Sequence, residues 1–62
     1  MKRTALIKKL HEIGPVEVVR EGGSHTIYSV GGVKVSIPRH HEIGEGLAAK
    51  IIRQAQKGKD DG

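Results

Sequence analysis

The chain has 62 residues, with eleven Lys or Arg against seven Asp or Glu and a formal net charge of +4 at pH 7. That length makes one domain with a modest core, which favours an extended or surface-bound ligand over an enclosed small molecule. The absence of cysteine removes disulfides and thiolate zinc sites together, no apolar run approaches the ~20 residues that span a bilayer, and the basic excess suits a phosphate backbone.

The opening Met1-Lys2-Arg3-Thr4 lacks the apolar segment and cleavage site of a signal peptide, so a cytoplasmic location is the expectation. Thr4 is the expected N-cap of a first helix, its hydroxyl accepting from a free first-turn amide. Leu6, Leu10 and Ile13 recur at helical spacing with Ile7 widening the stripe, while Lys8, Lys9 and Glu12 face out. Gly14-Pro15 stops this helix, since Gly suits the left-handed position past a helix end and Pro cannot continue the turn. The spacing predicts a helix over 4–13.

Valine-rich 16–20 reads as a strand running into Gly22-Gly23. Two further strands are predicted over 25–30 and 33–37, joined by Gly31-Gly32 as a two-residue hairpin of the primed types. That turn sets Val30 opposite Val33, Tyr28 opposite Val35 and Thr26 opposite Ile37, six residues that make one largely apolar face. His25, Ile27 and Ser29 then share the other face with Lys34 and Ser36. Pro38 ends the third strand, and a connection through Gly44 and Gly46 leads to a second helix predicted over 47–56. Leu47, Ala48, Ile51, Ile52 and Ala55 face the sheet, Lys50, Arg53 and Lys57 face water, and Gly46 is the one available cap.

The fold class this predicts is α+β: an α-β-β-β-α order, with a three-stranded antiparallel sheet and two helices on its apolar face. The domain is assigned to 1–57, and the polar segment 58–62 is read as a tail that frays.

Within this frame Gly22-Gly23-Ser24-His25-Thr26-Ile27-Tyr28 is the first place to look for chemistry. It combines a permissive bend, a small hydroxyl and an imidazole, the side chain suited to moving protons near neutral pH. From the residues alone, His25 reads better as a strand-edge histidine bonded to backbone than as a catalytic group. His40-His41 reads as a solvated loop rather than a zinc site, because adjacent residues point apart and no further ligand set completes one. Gly22-Gly23 lacks the strand–loop–helix setting of a P-loop. Tyr28, the one aromatic residue, is assigned to the core rather than to base stacking.

Several blocks together resemble the HicA family of toxin–antitoxin systems. They are Leu6-Ile7-Lys8-Lys9-Leu10, the stretch Val19 through Tyr28 with its Gly-Ser-His, Val35-Ser36-Ile37-Pro38-Arg39-His40, Glu42-Ile43-Gly44-Glu45-Gly46-Leu47, and Ile51-Ile52-Arg53-Gln54-Ala55. The resemblance implies a double-stranded-RNA-binding-domain-like fold and a ribosome-independent mRNA interferase held inactive by a HicB antitoxin. The family's essential histidine lands on His25. The chain departs from the pattern at Gly14-Pro15-Val16, at the short Gly31-Gly32 turn, and at Leu47 where many members have Thr.

The chemistry this implies is metal-independent, with no cofactor. His25 takes the proton of a ribose 2′-OH, and Ser24 or the Gly23 amide holds a non-bridging phosphate oxygen. Arg20, Lys34, Arg39, His40, Lys50 and Arg53 are the candidate RNA contacts, and His40 is a candidate acid partner if it comes near His25. Two rival readings remain open at this point: a non-catalytic RNA-binding module of the same fold, and a protein-interaction module offering an open sheet edge.

Overall fold

A computed structural model describes residues 1–60, with side chains through residue 57. Helix α1 covers Arg3–Ile13, strands β1, β2 and β3 cover Val16–Glu21, His25–Val30 and Val33–Pro38, and helix α2 covers Glu45–Asp60. The strands form one antiparallel sheet in the order β1-β2-β3. This is the expected α+β arrangement, with the element order of the double-stranded-RNA-binding-domain-like fold.

The β2–β3 hairpin has the predicted register, from Val30↔Val33 at the turn to His25↔Pro38 at the open end. Gly31 and Gly32 both take positive φ, 57° and 91°, the signature of the type I′ turn whose twist matches the strands it joins. Thr26, Tyr28, Val30, Val35 and Ile37 are buried on the helix side. There they meet Leu6 and Leu10 of α1, Ala48, Ile51 and Ala55 of α2, and Ile43 of the β3–α2 connection.

Four local expectations are corrected. Helix α1 starts before Thr4, at Arg3, with Lys2 as an N-cap that makes no side-chain bond. The reason is tertiary: the Arg3 amide donates to the His41 carbonyl and the Ile43 amide to the Met1 carbonyl, both at 2.8 Å. The 41–43 segment thus does what a capping side chain would. Gly14 is extended, at φ −177°, not left-handed. Its need is for space, because a Cβ there would sit 3.3 Å from Gly31 Cα, where the Gly31 amide donates to the Pro15 carbonyl.

Helix α2 begins at Glu45, with the Ala48 amide bonded to the Gly44 carbonyl, so Gly46 lies inside the first turn and is not its cap. Leu47 is 42% exposed rather than turned to the sheet. The buried row Ala48–Ile51–Ala55 is centred over β3, which leaves position 47 on the flank. The helix runs on through residue 60, and the rest of the expected tail lies outside the described residues.

Strand β1 carries a feature absent from the sequence reading. Its register slips between Val18 and Arg20, so that Val18 faces Tyr28, Arg20 faces Ile27, and Val19 is the extra residue of a β-bulge. The helices pack on β2 and β3, leaving β1 at the uncovered edge with Val18 56% and Val19 48% exposed.

Candidate active site at the open end of the sheet

His25 is the first residue of β2, exposed, on the face of the sheet away from the helices. The bend before it is closed by the Gly22 amide, which donates to the His25 carbonyl at 2.8 Å. A Cβ at Gly22 would lie 3.1 Å from that carbonyl oxygen, whereas one at Gly23 would meet nothing. Space is therefore tight at the first position and open at the second. The far side of the bend is held from the end of β3: the Arg39 amide donates to the Ser24 carbonyl at 3.1 Å, and its guanidinium donates to the Gly22 carbonyl at 3.2 Å.

The Ser24 hydroxyl lies 3.2 Å from His25 Nδ1. A hydroxyl both donates and accepts, so this contact serves either imidazole tautomer. When Nδ1–H donates to Ser24, Nε2 is left as a free base; when Ser24 donates, Nε2 carries the proton. Among the described residues, the Gly23 and Ser24 amides have no backbone acceptor. Two exposed N–H groups of the bend that leads into His25 therefore have no backbone partner.

The bulge at Val19 changes what accompanies His25. Were Val19 paired in regular alternation instead of bulged, Arg20 would turn to the helix side with Val16 and Val18. With the bulge, Arg20 sits opposite Ile27 on the open face, a diagonal neighbour of His25 at a separation of typically about 7–8 Å. Lys34 pairs with Ser29 on the same face, one row further along. The consecutive valines Val18-Val19 break the period-two pattern, and that was the available signal of a bulge.

The other candidates fall elsewhere. Lys34 and Lys50 share a shallow groove with Leu47 and Gln54 where α2 crosses the β3 edge, and Gln54 there donates to the Lys34 carbonyl at 3.1 Å. Lys50 and Arg53 line a second shallow groove with Lys57. No hydrogen bond joins His40 to His25 among the described residues. His40 lines a cleft on the helix side of the sheet, with Arg39 at its rim, whose walls do not include His25. The β3 exit turns towards the start of α1 because Arg3 Nε holds the Pro38 carbonyl at 3.2 Å and the Arg3 amide holds that of His41.

Arg3 was missed as a site residue. Its Nη2 also donates to the Tyr28 hydroxyl at 3.1 Å and to Thr26 Oγ1 at 3.5 Å, and its guanidinium lies over the Tyr28 ring, 5.9 Å from the centroid. Nothing in the sequence singles it out from ten other basic residues.

Among the described residues, the one ion pair joins the Met1 ammonium to Glu42 at 3.4 Å. No described Lys or Arg side chain is matched with a carboxylate. No three His, Asp or Glu side chains converge among these residues, and no helix of the described residues is long and apolar enough to cross a membrane.

Comparison with known proteins gives a family-model match. The family model described as the HicA toxin of bacterial toxin–antitoxin systems covers residues 4–57. Neither the curated proteins nor the solved structures returned a match. With 4–57 taking in most of both helices, all three strands and the Ser24–His25 pair, the chain belongs to the HicA toxin family, and an antitoxin is the partner that membership implies.

Proposed function

We propose that this chain is a metal-independent endoribonuclease that cuts mRNA with His25 as its general base. The observation that carries this reading is the exposed imidazole on the helix-free face, with Nδ1 at the Ser24 hydroxyl. RNA supplies its own nucleophile in the ribose 2′-OH. His25 Nε2 removes that proton, the oxygen attacks phosphorus, and the 5′-oxygen leaves, giving a 2′,3′-cyclic phosphate and a 5′-OH. Positioned base catalysis of this kind contributes roughly 10²–10⁴-fold.

The Gly23 amide and the Ser24 side chain or amide receive a non-bridging oxygen as its charge grows. Arg20, one diagonal away from His25, is the cation best situated to neutralise that charge. Lys34, Arg39, His40, Lys50 and Arg53 hold flanking phosphates. The proton taken from the 2′-OH is returned to the leaving oxygen by the same imidazolium or by water.

The antitoxin is a HicB-family protein that covers His25 and the basic surface around it, and the toxin acts in the cytoplasm. Unpaired cations also suit an RNA-binding module that does not cut. Incubating the protein with end-labelled mRNA in EDTA separates the two. Cleavage that disappears in His25→Ala supports the nuclease, and intact RNA at stoichiometric protein rules it out.

A further inference from the structure

A cleft of about 760 Å³ opens beneath the sheet between the first turn of α1 and the 39–42 segment. Lys2, Arg3, Arg39, His40 and His41 all line it, and only Glu21 and Glu42 among its walls are acidic. Glu42 is already engaged by the Met1 ammonium. The cleft is therefore a concave, cationic surface of which the catalytic proposal uses only Arg39 and His40.

Arg3 at its floor is half-buried and held by neutral partners alone: the Pro38 carbonyl, the Thr26 hydroxyl and the Tyr28 hydroxyl. These occupy Nε and Nη2. A guanidinium has five N–H donors, and the Nη1 pair has no protein acceptor among the described residues. A partly buried cation is normally compensated by a carboxylate, and here none is bonded to it. Lys2 and Arg3 also stand at the positive end of α1, where cations are disfavoured and where no acidic side chain offsets them. An anion in the cleft would answer all three features at once.

The cleft and His25 occupy the same end of the sheet on opposite faces. Glu21 and Thr26, which wall the cleft, pair with each other in the row next to His25↔Pro38. Arg39 joins the two sides, since it lines the cleft while its amide and guanidinium hold the bend that carries His25. A polynucleotide laid over His25 and continuing round this end of the sheet brings its next phosphates to Arg39 and then to Lys2 and Arg3.

We infer that this cleft is a phosphate subsite for the RNA strand flanking the scissile bond, with Lys2, Arg3 and His41 as contacts beyond those assigned above. The inference rests on the reading that the chain binds RNA. It is tested in a His25→Ala background, where no cutting occurs, by fluorescence anisotropy of a labelled single-stranded RNA in EDTA over a series of salt concentrations. Lys2→Glu and the milder Lys2→Ala are compared with Lys8→Glu, a charge reversal on the exposed face of the same helix, and circular dichroism checks that each variant is folded.

The cleft predicts that Lys2→Glu weakens binding at least fivefold more than Lys8→Glu. It also predicts that Lys2→Ala lowers the slope of log Kd against log salt by about 0.7, the loss of one single-strand phosphate contact. Equal effects at Lys2 and Lys8, with the parent still binding, overturn the cleft and leave the RNA reading intact. A parent that binds no RNA overturns both.

Discussion

The hydroxyl of Ser24 stands 3.2 Å from Nδ1 of His25, the one side-chain hydrogen bond of that imidazole among the described residues. It leaves Nε2 of this exposed residue without a side-chain partner among the described residues and ties the ring to the bend. Ser24→Ala should lower the single-turnover cleavage rate roughly 2- to 12-fold, the equivalent of one neutral hydrogen bond. RNA affinity should hold, and Ser24→Thr should restore most of the rate. A loss of affinity with an unchanged rate would make Ser24 an RNA contact instead of a support for the ring.

Arg20 reaches the His25 face only because Val19 bulges out of register. Arg20→Ala should slow cleavage about tenfold or more, as expected for a lost charge-assisted hydrogen bond. Deleting Val19 closes the bulge yet keeps Arg20 opposite Ile27, so the deletion variant should cut RNA at close to the parent rate. Rate measurements on the two variants check the assignment, which fails if the deletion is as damaging as the substitution.

Two glycines that look alike in sequence should respond differently to alanine. At Gly14 the new methyl meets Gly31 Cα at 3.3 Å, against a turn fixed by its own hydrogen bond to Pro15. Overpacking of this kind costs about 1–3 kcal/mol. At Gly23 the methyl points into open space, and the change should stay within about 0.5 kcal/mol. Urea unfolding of the two variants measures the difference.

Tyr28→Phe removes the hydroxyl that accepts from Arg3 while keeping the ring in the core. The expected destabilisation is about 0.5–1.5 kcal/mol, again read from urea midpoints. A neutral result would mean that water replaces the hydroxyl as partner to the guanidinium.

Much of the fold was legible because local chemistry and global packing agree in this chain. The Gly31-Gly32 pair fixed the hairpin, and alternation from it placed both His25 on the open face and Tyr28 beneath it. What escaped is tertiary. No residue near Thr4 announces that the 41–43 segment will cap α1 in its place, and Gly14 is a glycine for the sake of a neighbour 17 positions away. Leu47 has the hydropathy of a core residue and the phase of a flank. In the site, His25 and its bend were readable from the Gly-Ser-His block. The place of His40 in the helix-side cleft was not, because it depends on Arg3 holding the Pro38 and His41 carbonyls.

The central claim is that the ribose hydroxyl is the nucleophile and His25 its base. The most direct measurement uses an RNA cut by this protein, prepared again with one 2′-deoxy nucleotide at the mapped cleavage position. The account predicts that the modified strand stays intact at that bond, while the unmodified strand yields a 2′,3′-cyclic phosphate in a reaction lost in His25→Ala. Cleavage of the deoxy-substituted bond at the parent rate would contradict it.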